Sequence, residues 1–365
     1  MIRTSIRIMA PKFHTLTVKE LRQETADCVS VAFQVPDEVR ADYEFVQGQY
    51  LTLRTDIGGE DVRRSYSICS GVEDKDLRVA IKKVEGGKFS TYANDVLKAG
   101  DSLQVMTPAG KFYTKLDANH EKHYILFAAG SGITPMLSIM KTVLAKEPKS
   151  EISLFYGNKT TDSVIFKEEI ESLKNKNLTR LRVHYIMSRE MLQSDLFCGR
   201  IDREKADQLL NLLVQKGDQD EYFLCGPYQM IQDVRESLKA SEVPNEQVHF
   251  ELFTTEPVGG EKPKKAAKPV EDINAKIKVI LDGHEYLFNM YKSDEKILDT
   301  ALKNGADLPF ACKGGVCATC KAKLESGKVE MEVNYGLEPD EVEAGYILTC
   351  QSVAKTDEVT VNFDA

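Results

Sequence analysis

Residues 312–320 read CKGGVCATC, so three of nine consecutive positions are cysteines and two of the others are adjacent glycines. A fourth cysteine, Cys350, follows in YILTCQS after 29 intervening residues. A soluble chain seldom concentrates thiols in this way. Three uses are open, namely metal ligation, disulfide formation and thiol redox chemistry, and the choice among them decides the fold of this part of the chain.

Length and composition limit the class of protein. The chain has 365 residues, 42% hydrophobic and 29% charged, with a formal net charge of −9, which predicts two or three folded domains. A pI near 5.4 argues against a nucleic-acid-binding protein, which would usually show a basic face. No apolar run approaches the roughly 20 residues that span a bilayer. The opening residues MIRTSIRIMAPKF lack the apolar core and cleavage site of a signal peptide, so we expect a cytoplasmic protein.

The distribution of the eight cysteines favours a metal site. Disulfide frameworks belong mostly to short secreted chains, and this chain is neither short nor evidently secreted. The C-x4-C-x2-C spacing with one distant cysteine matches the plant-type pattern for a [2Fe–2S] cluster. Four other cysteines are scattered, at residues 28, 69, 198 and 225. The predicted cluster ligands are Cys312, Cys317, Cys320 and Cys350.

A structural zinc site is the alternative, but such a site usually shows two C-x2-C pairs and only one is present here. Gly314 and Gly315 favour the tight bending of a loop around a cluster, with backbone N–H groups directed at sulfur. On CKGGVCATC and YILTCQS, residues 277–365 resemble the plant-type ferredoxin family. The resemblance implies a β-grasp fold.

The first part of the chain has the pattern of an antiparallel β structure. The segments LTVKEL, VSVAFQV and LRVAIKKV alternate apolar and polar side chains. Glycine pairs at residues 58–59 and 86–87 indicate turns between strands. We predict a small antiparallel β-barrel over residues 10–115.

Strands and helices alternate in the middle of the chain. HYILFAAG is a continuous apolar run followed by the helical stretch PMLSIMKTVLAK, and EISLFYGN, RLRVHYIMS and EYFLCGP are further buried-strand candidates. This alternation predicts a doubly wound parallel α/β domain over residues 120–253. Residues 254–276, rich in Pro, Gly, Lys and Ala, predict a flexible linker to the third domain at 277–365.

The predicted barrel carries a candidate flavin site. RRSYSICS (63–70) resembles the R-x-Y-S motif of the ferredoxin–NADP reductase superfamily, and the resemblance extends over residues 14–253. Its arginine offers a fork for pyrophosphate, its tyrosine an aromatic surface for the isoalloxazine and its second serine a hydroxyl near N5. Such a string alone is mostly a solvated strand, but EGGKFSTYAND (85–95) adds hydroxyls and N–H groups at a predicted helix start. The FAD-binding residues that the resemblance implies are Arg64, Tyr66, Ser67, Ile68, Gly87, Lys88, Phe89, Ser90 and Thr91.

The α/β domain carries a candidate nucleotide site. AAGSGITPM (128–136) departs from the G-x-G-x-x-G fingerprint, and the next strand ends in FYGNK without the acidic residue that would bind a ribose 2′-hydroxyl. A glycine pair could serve strand–helix packing alone, but a proline-ended loop is usual in the superfamily. The serine and arginine of MSRE (187–190) resemble the pair that binds the 2′-phosphate in NADP-specific members, which favours NADPH over NADH. The nucleotide-binding residues that the resemblance implies are Gly130, Gly132, Thr134, Pro135, Ser188, Arg189, Cys225, Gly226 and Pro227.

The resemblance implies three catalytic residues, Ser67, Cys225 and Phe253. FLCGP (223–227) is similar to the C-G-P turn that places a cysteine beside nicotinamide C4, although a buried structural thiol is the alternative. HFELF (249–253) ends the domain where the superfamily places an aromatic side chain near the flavin. The alternative for Phe253 is a strand-end hydrophobic residue.

Together these features imply a chain of electron carriers. The resemblance implies that NADPH reduces FAD, which passes electrons singly to the [2Fe–2S] cluster. The sequence does not contain the two Glu-x-x-His motifs of a di-iron centre, and no facial-triad candidate is visible, so we expect the electrons to leave for another protein. Residues 275–365 hold 10 Lys, no Arg and 16 Asp or Glu, a net formal charge of −6. This charge suits a basic partner, or it simply keeps the domain soluble.

The order flavin, nucleotide, ferredoxin is similar to that of the reductase components of multicomponent oxygenases. With RSYSICSG, VAIKKVEGGKFS and CKGGVCATC, the chain resembles most of all the phenylacetyl-CoA epoxidase (ring 1,2-epoxidase) reductases. This resemblance implies a di-iron oxygenase complex, formed by the epoxidase subunits, as electron acceptor in aerobic phenylacetate degradation. Reductases of ketosteroid hydroxylase and of hybrid-cluster protein share the plan and stay open. An electron-carrier module that depends on a separate reductase is a further alternative.

Overall fold

The structure is a computed structural model that describes residues 12–215, 217, 219–253, 275–291 and 295–365. These residues fall into two compact units, one within His14–Val258 and the other within Gly259–Ala365, to which residues 12 and 13 are also assigned. The predicted linker lies outside the described residues as far as residue 274, and a strand already begins at Ala275, two residues before the predicted third domain.

The first unit opens with an antiparallel six-stranded sheet, confirming the predicted barrel. Its order is β4-β3-β6-β1-β2-β5, and an antiparallel bridge between Ile68 and Val79 joins the two edge strands and closes it. Alternating apolar residues fill its interior. Its strands are β1 (Phe13–Thr25), β2 (Cys28–Gln34), β3 (Tyr50–Asp56), β4 (Asp61–Ser67), β5 (Leu77–Lys82) and β6 (Ser102–Met106), with helix α1 (Lys88–Asp95) between the last two.

A parallel five-stranded sheet follows in the same unit, as the α/β alternation predicted. Its order is β11-β10-β7-β8-β9, so the direction of winding reverses beside β7. Ligands in such sheets bind where the carboxyl ends of the strands meet at this reversal. The elements are β7 (His123–Ala129), α2 (Ile133–Lys146), β8 (Glu151–Asn158), α3 (Lys167–Lys176), β9 (Leu181–Met187), α4 (Arg203–Leu213), β10 (Glu221–Gly226), α5 (Tyr228–Ala240) and β11 (Val248–Leu252).

The second unit has the predicted β-grasp architecture. A mixed sheet of order β13-β12-β18-β14-β16 packs against α6, and β15 pairs with β17 at one side. Its core is a separate apolar cluster that includes two of the clustered cysteines. The elements are β12 (Ala275–Leu281), β13 (His284–Met290), α6 (Ile297–Lys303), β14 (Lys321–Ser326), β15 (Val329–Met331), α7 (Pro339–Glu343), β16 (Tyr346–Leu348), β17 (Ser352–Ala354) and β18 (Glu358–Asn362).

Two general features bear on the sequence predictions. All eight cysteines have free thiols, so the disulfide interpretation of the cluster finds no support. Among the helices that the structure describes, none has the length and apolar character that crossing a bilayer requires.

Candidate functional site

The predicted flavin motif occupies the end of β4. Arg64 is exposed and donates from Nη1 to the carbonyl of Arg63 at 2.7 Å. Tyr66 is half-buried, and its ring lies 5.6 Å from that of Phe89, centroid to centroid. Phe89 itself lies in the barrel core, so it supports Tyr66 from behind. Burial raises the pKa of Tyr66, which leaves the phenol neutral at neutral pH.

The predicted phosphate-binding turn begins α1. Gly86 adopts a left-handed φ of +70°, and a Cβ on Gly87 would lie 2.5 Å from the Ser90 hydroxyl, so a side chain there would fill the turn. The Ser90 hydroxyl is used internally, accepting from Val84 N at 3.1 Å, and Lys88 forms an ion pair with Glu60. Thr91 N–H donates to the Gly87 carbonyl. The N–H groups of Lys88, Phe89 and Ser90 in the first turn therefore have no acceptor four residues earlier within the helix, as an anion site requires.

The predicted nucleotide loop, Gly130–Gly132, lies at the sheet reversal. A Cβ on Gly132 would stand 2.0 Å from the Cys225 carbonyl oxygen, so only glycine permits this loop to rest on the end of β10. The Tyr156 hydroxyl fixes the loop by donating to the Gly130 carbonyl at 2.9 Å. Three neighbouring predicted residues complete its surroundings: Thr134 and Pro135 are buried in the first turn of α2, and Gly226 packs against Met230. Pro227 precedes α5.

A contact between the barrel and the α/β sheet joins the two predicted sites. The Ser67 hydroxyl donates to Glu251 Oε2 at 3.1 Å, and Glu251 is the register partner of Cys225 across β10 and β11. Three polar side chains from distant parts of the chain thus meet where the end of β4 approaches the sheet reversal. The structure brings two of the predicted catalytic residues, Ser67 and Cys225, together through Glu251.

Glu251 was not among the sequence candidates. Burial raises the pKa of its carboxyl to about 7, an effect that the hydrogen bond from Ser67 partly offsets. Burial also raises the pKa of Cys225, and Glu251 adds to that shift, so the thiol is neutral at neutral pH. The only signal in the sequence was an acidic residue within HFELF, in a strand otherwise suited to burial.

The remaining nucleotide candidates lie at the edge of the sheet. Ser188 and Arg189 follow β9 and are exposed, and their N–H groups donate to the carbonyls of Asn158 and Lys159 at 2.9 and 2.8 Å. These bonds hold the ends of β8 and β9 side by side. Phe253 follows β11 and is 38% exposed, so its ring remains available for contact with a ligand.

The predicted cluster loop is tightly curled in the second unit. Gly315 has a φ of +76°, and a Cβ there would lie 3.0 Å from the Val333 carbonyl oxygen. Lys313 and Ala318 also adopt positive φ, at 50° and 53°, although they carry side chains. Such conformations are costly and persist where the surroundings impose them. The curl directs the N–H groups of Gly314 and Cys317 at Cys312 Sγ, at 3.3 and 3.4 Å.

The four predicted ligands interact as two pairs of thiols. A hydrogen bond from Cys317 is the main reason that the pKa of Cys312 is lowered to about 5, and the pKa of Cys317 is raised in turn. A hydrogen bond from Cys320 likewise lowers the pKa of Cys350, while the pKa of Cys320 is raised. The Gln351 amide lies 3.7 Å from Cys350 Sγ. In each pair one thiol therefore has the lower pKa and is the more easily deprotonated of the two.

This donor set fits a binuclear cluster. Across the described residues, no three His, Cys, Asp or Glu side chains gather as ligands of a single metal ion, which a tetrahedral zinc site would require. Two sulfur pairs match four thiolates divided between two irons. The left-handed turns and the N–H groups directed at sulfur are further features of a loop that encloses a cluster.

Comparison with known proteins matches three family models to successive parts of the chain. The Oxidoreductase FAD-binding domain matches residues 15–113, the Oxidoreductase NAD-binding domain residues 126–236 and the 2Fe-2S iron-sulfur cluster binding domain residues 280–355. The order is the one predicted from the three motifs.

Two curated relatives and one solved structure extend over nearly the whole chain. One of the subunits of 1,2-phenylacetyl-CoA epoxidase from Escherichia coli (strain K12) is 45% identical over 97% of this chain and 98% of its own length. The ferredoxin reductase component of 3-ketosteroid-9-alpha-monooxygenase from Rhodococcus rhodochrous is 35% identical over 95% and 96%. Phthalate dioxygenase reductase is similar in fold, with a TM-score of 0.60, 23% identity and coverage of 96% of this chain and 98% of that one.

Proposed function

The chain belongs to the family of oxygenase reductase components that combine FAD-binding, NAD-binding and [2Fe–2S] domains, and from this premise we propose that it passes electrons from NADPH to a phenylacetyl-CoA epoxidase complex. The acceptor is then a di-iron oxygenase in the breakdown of phenylacetate. The proposed location is the cytoplasm.

The observation that carries the proposed reaction is the Ser67–Glu251 hydrogen bond. It joins the end of the flavin strand to the carboxyl edge of the nucleotide sheet, next to Cys225. A nicotinamide over the Gly130–Gly132 loop and a flavin against Tyr66 would therefore face each other across these side chains. Proximity and exclusion of water are what the chain supplies to hydride transfer.

The proposed roles follow from the placement of each group. FAD, when bound, supplies the exchange between two-electron and one-electron chemistry. Tyr66 offers its ring to the isoalloxazine, Arg64 and the first turn of α1 bind the pyrophosphate, and Ser67 places its hydroxyl near N5. Cys225 and Phe253 pack about the nicotinamide and flavin as neutral walls. Cys312, Cys317, Cys320 and Cys350 ligate the cluster.

NADPH is the proposed donor because β8 ends in FYGNK without the acidic residue that would bind a ribose 2′-hydroxyl, and Ser188 and Arg189 lie beside that strand end. Both side chains are exposed at the edge of the sheet. The proposal keeps the domain limits predicted from sequence, 10–115, 120–253 and 277–365.

The epoxidase complex as partner is supported by the 45% identity, along nearly the whole chain, to one of the subunits of the Escherichia coli 1,2-phenylacetyl-CoA epoxidase. The test is reconstitution of the purified holoprotein with the oxygenase subunits, NADPH and phenylacetyl-CoA. We expect product formation that depends on this protein. Reduction of ferricyanide without any epoxidation would support the reductase activity but reject the epoxidase complex as the electron acceptor.

A reductase of a different oxygenase is the second candidate, because 3-ketosteroid-9-alpha-monooxygenase reductase is 35% identical over 95% of the chain. Substituting that oxygenase in the same assay separates the two. A mere carrier module predicts that NADPH alone fails to reduce cytochrome c through this protein.

A further inference from the structure

Residues 70–72, which follow β4, are joined to helix α2 by two hydrogen bonds to buried side chains of the helix. We call this contact the polar seam. The Ser138 hydroxyl of α2 donates to the Ser70 carbonyl at 2.6 Å, and Val72 N–H donates to the Thr142 hydroxyl at 3.2 Å. Both α2 side chains are buried. Buried hydrogen bonds of this kind fix geometry, because breaking one leaves an unpaired polar group out of water.

Gly71 lies between those two bonds and leaves no space for a side chain. A Cβ at residue 71 would stand 2.8 Å from the Cβ of Lys141, closer than two such atoms approach. Lys141 also bridges Asp74 of the barrel loop and Glu169 of α3, at 2.8 and 2.5 Å. The loop and α2 are therefore in direct backbone-level contact.

The polar seam is one of a series of contacts that leads from Ser67 through α2 and back to Ser67. From Ser67 the chain runs four residues to Gly71, held on the way by Cys69 N–H bonding to Arg78 O at 2.9 Å. From Ser138, α2 runs back about 9 Å to Gly132, which rests on Cys225. The register of β10 with β11 then leads to Glu251, which accepts the hydrogen bond from Ser67.

We propose that this seam is a positioning device that sets the distance between the flavin and the nicotinamide, with Gly71, Ser138 and Thr142 as its positioning residues. The inference rests on the proposed function. It assigns no contact with either cofactor to these residues. They act by fixing how far α2, which carries the nucleotide loop, stands from the strand that carries Tyr66 and Ser67.

The test is Gly71→Ala in the protein loaded with FAD and cluster, because the added methyl group should push the loop away from α2. A shift of about 1 Å between reacting groups costs on the order of 10- to 100-fold in rate, so we expect a fall of that size in anaerobic flavin bleaching by NADPH. The long-wavelength charge-transfer absorbance between nicotinamide and flavin should weaken in parallel. FAD content, iron content and the affinity for NADP⁺ should stay within about twofold of wild type.

A double-mutant cycle shows whether the added methyl group acts through α2. Lys141→Gly removes the atom that the new methyl group would meet, so Gly71→Ala should cost much less in that background. Two controls remove salt bridges without removing the Lys141 Cβ. Lys141→Ala breaks the bridges to Asp74 and Glu169, and Lys146→Ala breaks the bridge to Glu73. The flavin of each control should bleach at the wild-type rate. Ser138→Ala serves as a second probe if Gly71→Ala fails to retain FAD.

Three results would overturn the inference. The first is a Gly71→Ala protein that keeps its FAD, its bleaching rate and its charge-transfer band. The second is a loss of rate that is the same with and without the Lys141 side chain. The third is a wild-type flavin that neither NADPH nor NADH bleaches, which would reject the proposed function as well.

Discussion

Glu251 holds a carboxyl group in surroundings that favour its neutral form. Burial raises its pKa to about 7, compared with a model-peptide value of about 4.3. Because the pKa of Glu251 is higher in the folded state than in the unfolded state, its protonated form contributes fully to the free energy of unfolding at a pH below the unfolded-state pKa. That contribution is lost as the pH rises towards the folded pKa.

Replacing Glu251 by Gln should therefore stabilise the protein selectively at high pH. The difference in Tm between Glu251→Gln and wild type should increase from pH 5 to pH 8, since only the wild type must then bury a charge. Thermal unfolding of the holoproteins measures it, with Glu246→Gln at an exposed carboxyl as control. An equal difference at both pH values would contradict the assigned pKa.

The nucleotide preference is also a single-residue question. Placing a carboxylate at Ser188 should repel a 2′-phosphate and offer an acceptor to a ribose 2′-hydroxyl. We expect Ser188→Asp to lower the ratio of kcat/KM for NADPH over NADH by about tenfold or more. Ser172→Asp on the exposed side of α3 should leave that ratio unchanged, and an unchanged ratio in Ser188→Asp would remove the residue from the 2′-phosphate site.

At the scale of the element, the cluster loop depends on a left-handed glycine in a confined place. Gly315→Ala would require a φ of +76° and bring a Cβ to 3.0 Å from Val333 O and 3.1 Å from Gln351 Cγ. We expect it to lower iron and acid-labile sulfide content well below wild type. Gly305 has a similar φ of +85° with open space around it, so Gly305→Ala should cost about 1–2 kcal/mol of stability and retain the cluster. Full cluster content in Gly315→Ala would show that the loop tolerates a side chain there.

Strands and helices were the most predictable elements. The segment EISLFYGN has the same bounds as β8. It was predictable because a short apolar run between polar turns is typical of a buried strand. The spacing of the cysteines predicted their convergence, because a cluster loop requires that pattern. The left-handed conformations of Lys313 and Ala318 were not predictable, since neither residue type favours them and only the surrounding packing imposes them.

At the scale of the whole molecule, the contacts between distant segments could not be predicted from the sequence. The Ser67–Glu251 bond spans 184 residues, and the Ser138–Ser70 bond spans 68. No periodicity encodes such pairs, because they depend on how the barrel and the parallel sheet pack. The motifs indicated which residues matter, and the packing determined which of them meet.

The division of labour between flavin and cluster predicts separable activities. Cys317→Ser removes one predicted cluster ligand in a unit other than the one that holds Ser67 and Glu251. We expect it to retain NADPH–ferricyanide reduction within about twofold and to abolish delivery to the oxygenase. Cys198→Ser, outside the cluster, should retain both activities. Loss of ferricyanide reduction in Cys317→Ser would contradict the separation.

A flavin and a two-iron cluster held by one chain are the basis of every activity proposed for this protein. An anaerobic reductive titration of the freshly purified protein, with iron, sulfide and FAD assays on the same sample, tests their presence most directly. The prediction is about two irons, two sulfides and one FAD per chain, with about three electrons accepted, two by the flavin and one by the cluster. A colourless, iron-free protein carrying zinc on its four cysteines would contradict it.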